Sequence, residues 1–426
     1  MGRRVLLPFG KSLSTERYRE AQSRQDAIGS SAGAEFEKAI DSSHHISGRK
    51  PVIEEQRVTL QASDGVESHA ALVCDSAAPR TTAFIIMHPT SDWRNHYILK
   101  PLAERGFGAL GCANRYSSRE AELILENTVL DWAAGVDYLH QAGYRKVIGI
   151  GNSGGGEIAV CYHSESVHPT ITGTPLGDPP NFTKLKLTPL DGMVLLNAHA
   201  GRPLSLTRSL DPSVGGDSGN DPLVYDASLD MYHPRNAPPY SAEFRERYAA
   251  AQIERNHKIT RWCKETLERI ARAGNPLMSD IPFIVHRTDA DLRLRDLSLD
   301  PTDRSGETIW EEDPQLANYT PGPLRGNRTR LRVMTLRSWI SQRGLATSQF
   351  KVANFLPHCR LPTLVAIGTA DAGGSEHSRE MFEHSPDPGK EIVHIKGGTH
   401  FMRGQEDKQR EAADLIARWA AKHGFV

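Results

Sequence analysis

Apolar residues change their spacing along this chain, and each spacing predicts an element. From about residue 54, Gln56-Arg57-Val58-Thr59-Leu60-Gln61 alternates polar with apolar, the period of a half-buried strand. Ser63-Asp64-Gly65 is a turn signal, and Ala70-Ala71-Leu72-Val73 reads as the hairpin partner. Thr82–Met87, Phe107–Cys112, Val147–Ile150, Met193–Leu196, Leu364–Ile367 and Ile392–Ile395 are short, largely continuous apolar runs. Runs of this kind fit strands covered on both faces, as in parallel sheets. Helical spacing separates them. One helix is predicted from Asn95 to Arg105, ended by Gly106. The clearest carries Leu125, Val129, Trp132, Val136 and Leu139 at steps of four and three, and Gly143 closes it. A last amphipathic helix shows Ala412, Leu415, Ile416 and Trp419 on one face. Strands alternating with helices predict the α/β class, with a mostly parallel, doubly wound sheet.

Between about 202 and 358 the rhythm breaks. Asp211 to Asn236 is rich in Pro, Gly, Asp and Asn, and a long helical pattern follows with Phe244, Tyr248, Ile253, Trp262, Leu267 and Ile270. A structureless insertion of this size is improbable in a compact domain. Residues 202–357 are therefore expected to form a mainly helical lid or cap, set between two strands of a core made by 54–201 and 358–426. Tyr248 and Trp262, at helical spacing, are expected in the cap's own core. Residues 1–53 are a polar N-terminal extension in which Arg17 to Ile40 carries the pattern for one or two helices.

Composition narrows the class. The 426 residues hold 51 Lys+Arg against 52 Asp+Glu, a formal net charge of -1. Nothing in that balance points to nucleic acid or an anionic membrane. The run Arg328-Thr329-Arg330-Leu331-Arg332 is basic but carries no aromatic interleaving, and it reads as a solvated helix face. No stretch approaches the roughly 18 apolar residues of a membrane span. The N-terminus has two arginines with no long apolar segment behind them, so no signal peptide is expected. Five scattered cysteines suit reduced thiols in a cytoplasmic protein. His44 and His45 lack the spacing of a zinc site, and no glycine-rich phosphate loop precedes a helix. Neither a metal nor a cofactor is expected, and the oligomeric state is left open.

The chemistry concentrates after the strands. Gly151-Asn152-Ser153-Gly154-Gly155 follows the apolar run Val147–Ile150 directly and precedes a helix-like stretch. This is Gly-x-Ser-x-Gly on a strand–turn–helix, where small flanking residues leave room for a strained bend that lifts the serine hydroxyl out of the backbone. Ser153 is the candidate nucleophile. A serine hydroxyl is a poor nucleophile at neutral pH and needs an adjacent base with its own orienting partner. His400, in the loop Lys396–Phe401 after the last strand, is the candidate base. Asp371, in Gly368-Thr369-Ala370-Asp371, is the candidate acid. All three lie beyond the C-terminal ends of strands, the edge where open α/β sheets bind ligands.

The order Ser153, Asp371, His400, with its strand–elbow–helix context, resembles the α/β-hydrolase family over about residues 54–200 and 358–426. The resemblance implies Ser153 as nucleophile, Asp371 as acid and His400 as base. Some family members carry the acid after an earlier strand, but that position here reads Asn197-Ala198-His199-Ala200-Gly201 and offers no carboxylate. His88-Pro89-Thr90 stands where the family often carries a His-Gly oxyanion loop. Pro89 has no N–H, so the N–H groups of Thr90 and Gly154 are expected to form the oxyanion hole. His88 would then support the loop rather than act as a base. His88, Trp93, Arg115, Tyr116 and His199 follow strand ends and are candidate pocket residues. The reading is a serine hydrolase acting on a carboxylic ester or lactone of a medium-sized small molecule. Amide, thioester or C–C bond cleavage on the same triad is the alternative. A receptor-like protein of the same fold, binding a small molecule with little turnover, is the alternative of another class.

Overall fold

The computed structural model describes residues 50–215, 224–299, 332–371 and 375–426. The chain divides into Met1–Val52 and Ile53–Val426. The helical pattern expected at Arg17–Ile40, and the extension up to residue 49, lie outside the described residues.

The second unit is built on one eight-stranded sheet. Its strands are β1 (Ile53–Gln61), β2 (Glu67–Asp75), β3 (Thr82–Met87), β4 (Gly108–Ala113), β5 (Lys146–Asn152) and β6 (Gly192–Leu196), joined later by two more. After β6 the chain leaves the sheet for the insertion expected to form the cap. There a strand β7 (Pro282–Val285) pairs antiparallel with β8 (Arg332–Thr335). The chain then returns as β9 (Thr363–Gly368) and β10 (Glu391–Ile395). The sheet order is β1-β2-β4-β3-β5-β6-β9-β10, with β1 and β2 antiparallel and the remaining neighbours parallel from β4 onward.

The apolar runs behave as their lack of alternation implies, since both faces of the central strands are covered. Ala83, Ile85 and Met87 of β3 face one core, while Phe84 and Ile86 face the other. Val365 and Ile367 of β9 divide from Leu364 and Ala366 in the same way. The hairpin β1–β2 pairs Gln56 with Leu72 and has an exposed outer face, which is why only it shows a period of two.

Helices cover the sheet. Helix α1 (Leu99–Ala103) is shorter than the Asn95–Arg105 pattern suggests. Pro101 explains the difference, because a proline tolerates only a helix's first turn and would clash with the carbonyl four residues earlier. Helix α2 (Leu125–Gln141) buries Leu125, Val129, Trp132, Val136 and Leu139 completely and ends at Gly143, whose φ is +95°. Burial of each such side chain stabilises the fold by about 2 kcal/mol. Helix α3 (Gly155–Val167) follows β5.

The cap begins with α4 (Arg202–Thr207) and runs through α5 (Ala242–Ala273), a helix of 32 residues. Ser241 Oγ accepts the Phe244 N–H at its start, and Gly274, at φ +64°, ends it. Helix α6 (Leu336–Gln342) follows β8. Ile259, Cys263, Phe283, Val285, Met334 and Trp339 form a separate cap core, with Trp262 at its margin. Tyr248 is buried in a neighbouring cluster with Phe244 and Tyr240. The short α7 (Val352–Phe355), α8 (Ser375–His384) and α9 (Glu406–Lys422) complete the layers.

The cap is bonded to the sheet domain through buried and half-buried polar groups. Ser341 Oγ of α6 accepts the Leu125 N–H at 2.8 Å, capping a core helix that has no side-chain cap of its own, and donates to Glu126 at 2.7 Å. Glu120 accepts from Arg202 at 2.7 Å, Arg332 at 2.8 Å and Arg343 at 2.9 Å. Burial opposes its ionisation, but the three guanidinium groups hold its carboxyl well below the usual range. This corrects the reading of the 328–332 run. Arg332 is a strand residue ion-paired to Glu120, while residues 328–331 lie outside the described residues. The five cysteines are unbridged. No helix among the described residues is long and apolar enough to cross a membrane.

Candidate active site

The sheet grows in opposite directions from β3, so the ends of β3 and β5 flank a topological switch point, where an open α/β sheet leaves a crevice. Ser153 sits there on the turn between β5 and α3, with φ +52°, a backbone conformation non-glycine residues rarely adopt. The bend is possible only because Gly151 and Gly155, two residues to either side, lack side chains. A Cβ on Gly151 would lie 2.6 Å from the Gly156 Cα, and one on Gly155 would lie 2.4 Å from the Met87 carbonyl oxygen. The Ser153 N–H reaches the carbonyls of Leu196 at 3.3 Å and Asn197 at 3.2 Å, and the Ser153 carbonyl accepts from the His199 N–H at 2.9 Å. The elbow is thereby tied to the end of β6.

Three side chains distant in sequence converge on it. Ser153 Oγ lies 2.8 Å from His400 Nε2, and His400 Nδ1 lies 2.9 Å from Asp371 Oδ1. Asp371 is fully buried and Ser153 is 4% exposed. The Gly154 N–H opens α3, where helical N–H groups have no intrahelical acceptor.

The support of this chain was not visible in the sequence. Asn197, at φ +46°, accepts the Gly368 N–H on Oδ1 at 2.7 Å. Its Nδ2 donates to the carbonyls of His400 at 3.0 Å and Thr399 at 3.3 Å. One amide thus joins the strand that leads to the acid with the loop that carries the histidine. Gln405 holds the same loop, accepting from Thr399 N at 3.0 Å and donating to Gly397 O at 2.9 Å. His96 Nε2 lies 3.1 Å from Asn152 Oδ1, and Asn152 Nδ2 donates to Leu196 O at 2.6 Å, bracing the residue before the serine. The signal available was polar residues in otherwise apolar strand ends, which does not say what they face.

Several expected site residues have other occupations. The Thr90 N–H is not free to serve an oxyanion: it donates to His88 Nδ1 at 3.2 Å. Arg115 does not line a pocket, because its guanidinium is committed to Asp131 at 2.7 Å and Asp64 at 2.5 Å. Tyr116 packs on the sheet core, and its hydroxyl accepts from Asn127 at 2.8 Å. Trp93 is buried beneath the elbow, its ring 4.7 Å from that of His88 and 4.7 Å from that of His96. His199 does lie at the centre, stacked on His400 at 5.3 Å with an interplanar angle of 22°. Burial and the nearby His400 push its imidazole well below the ordinary range. It therefore stays neutral beside His400.

The strand order, the reversal at β3 and the serine-bearing turn after β5 define an α/β-hydrolase-type fold. No family model matches the chain, and no curated protein matches it. Among solved structures it is similar to the alpha/beta hydrolase GrgF from Penicillium sp. sh18, at 10% identity, covering 86% of this chain and 98% of that chain, with a TM-score of 0.48. The monoacylglycerol lipase of Paleococcus ferrophilus is 13% identical, covering 86% and 99%, with a TM-score of 0.42. The esterase domain of a Rhodothermus marinus protein is 12% identical, covering 87% and 98%, with a TM-score of 0.41. These likenesses are remote, and the fold rests on the strand order and the elbow.

Proposed function

We propose that this chain is a serine hydrolase that cleaves a carboxylic ester or lactone of a medium-sized small molecule through an acyl-enzyme on Ser153. The observation that carries the reading is the unbroken hydrogen-bonded line from Ser153 Oγ through both nitrogens of His400 to the buried Asp371 carboxylate.

His400 accepts the Ser153 proton on Nε2 while its Nδ1–H donates to Asp371, which orients the ring and stabilises the imidazolium that forms. General-base help of this kind contributes about 10²–10⁴-fold. Ser153 Oγ bonds to the substrate carbonyl carbon, and the Gly154 N–H donates to the resulting oxyanion. As the tetrahedral intermediate collapses, His400 Nε2–H protonates the leaving alkoxide. Water then attacks the acyl carbon and gives a proton to His400, and as the second tetrahedral intermediate collapses His400 returns that proton to Ser153 Oγ while the carboxylic acid leaves.

The near-complete burial of Ser153 and the cap bonded across the same end of the sheet support an enclosed small molecule over a polymer. Excluding water there strengthens every electrostatic interaction at the reacting atoms. The test is a panel of esters, lactones, amides and thioesters followed by product mass spectrometry, with a fluorophosphonate label read in parallel. Ser153→Ala should abolish both label and turnover. Undiminished labelling of that variant defeats the assignment. A ligand-induced rise in melting temperature with no product anywhere in the panel turns the reading toward a receptor.

A further inference from the structure

His88 immediately follows β3 and faces the elbow. Its Nδ1 accepts the N–H of Thr90 at 3.2 Å and the N–H of Ser91 at 3.1 Å, and the Thr90 hydroxyl also lies 3.2 Å away. A ring nitrogen that accepts two amide N–H groups carries no proton of its own. The neutral ring must then hold its hydrogen on Nε2. Burial, reinforced by Arg202, His199 and His400, keeps the ring neutral by pushing its ionisation well below the ordinary histidine range.

Nε2 has no protein partner among the described residues and is not sealed from solvent. It lies 3.2 Å from where a Cβ on Gly154 would stand. By covalent geometry the two nitrogens, His88 Nε2 and Gly154 N, are at most about 5.7 Å apart. A single oxygen can bridge that span with two hydrogen bonds of ordinary length, roughly 2.9 Å each. The loop amide expected for this task, Thr90 N–H, is already spent on the other side of the same ring.

We propose that the Nε2–H of His88 is the second oxyanion-hole donor, acting with the Gly154 N–H on the oxygen that becomes negative when Ser153 attacks. This inference rests on the serine-hydrolase reading. The two ring nitrogens divide the work. Nδ1 curls the loop and fixes the tautomer, and Nε2 offers the donor. The neutral imidazole holds its proton throughout, so His88 stabilises charge and transfers none.

The two nitrogens can be separated by substitution. Asparagine places an amide oxygen near the position of Nδ1 and nothing at Nε2. Glutamine places an amide N–H near Nε2 and nothing at Nδ1. His88→Asn is expected to fold and melt close to wild type and to lose about 10²–10³-fold in kcat with little change in KM. Its affinity for a trifluoromethyl ketone, whose hemiketal oxyanion probes the hole, should fall by a similar factor. His88→Gln is expected to melt lower and yet keep kcat within about tenfold. A support role alone predicts the reverse order, with asparagine near wild type and glutamine the weaker enzyme, and that result overturns the proposal. If His88→Asn does not fold, the glutamine variant decides: retained ketone affinity supports the donor, and a loss beyond about 10²-fold overturns it. Wild-type labelling absent in Ser153→Ala shows that the underlying reading stands whichever way His88 falls. A wild type that neither labels nor turns over removes both.

Discussion

Asn197→Ala removes a side chain that ties the acid strand to the histidine loop. Asn197 is fully buried and makes three hydrogen bonds: from Gly368 N at 2.7 Å, and to the carbonyls of His400 at 3.0 Å and Thr399 at 3.3 Å. The buried Gly368 N–H would be left without its acceptor, at a cost of about 1–3 kcal/mol. Thr399 and His400 are half-buried, so each carbonyl's lost bond counts as an ordinary one, about 0.5–1 kcal/mol. Alanine at φ +46° adds about 1 kcal/mol, because the left-handed region suits asparagine better. The expected destabilisation is about 3–6 kcal/mol, read as a fall of several degrees in melting temperature. Catalysis should suffer separately. A shift of about 1 Å in the His400 backbone breaks the 2.8 Å contact with Ser153, and displacement of that order costs about 10²-fold in kcat. KM should hardly move, since the amide faces the loops and not the substrate. Steady-state hydrolysis of a p-nitrophenyl ester, with differential scanning fluorimetry on the same samples, reads both effects. A variant within twofold of wild type in kcat and within a degree in melting temperature refutes the bracing role.

Asp371→Asn should keep the fold and lower kcat by about 10³–10⁴-fold, because an amide cannot hold His400 with its hydrogen on Nδ1; a loss under tenfold in a properly folded variant counts against the acid assignment. Burial pushes the Glu157 carboxyl up to about 8, although Arg202 and its backbone N–H pull the other way, and the unfolded chain ionises near 4.5. The folded protein therefore holds one more proton than the unfolded chain between those values, and this group's share of stability falls as pH rises from about 4.5 to about 8, at about 1.4 kcal/mol per pH unit. Glu157→Gln should remove that slope, so denaturant midpoints of variant and wild type should agree near pH 4.5 and diverge in the variant's favour by pH 8; parallel curves exclude it. Gly155→Ala drives a Cβ to 2.4 Å from the Met87 carbonyl oxygen, so it should lower the melting temperature by several degrees and abolish turnover, and a wild-type profile would mean that β3 and α3 can separate freely.

Periodicity carried much of this architecture because it reports burial, and burial is what a strand or helix imposes on its own residues. The run Thr82–Met87 had to be covered on both faces, and Leu125 through Leu139 had to face one core. Gly-x-Ser-x-Gly located the elbow for a related local reason: the turn leaves no room for side chains at Gly151 and Gly155. Pairings across long stretches of chain left no such trace. Ser341 caps a helix 216 residues away, and Glu120 gathers Arg202, Arg332 and Arg343 from the cap, but each reads in the sequence as an ordinary polar residue. Asn197 drew notice only for not being a carboxylate. His88 supports its loop as expected, but it does so by taking the Thr90 N–H, because the curl of the loop, not the order of its residues, decides which N–H the ring takes. Local sequence determined which segments are buried and where the chain bends sharply. The directions of hydrogen bonds between distant segments were decided only when the sheet and cap closed around them, since a hydrogen bond depends on angles that no spacing along the chain encodes.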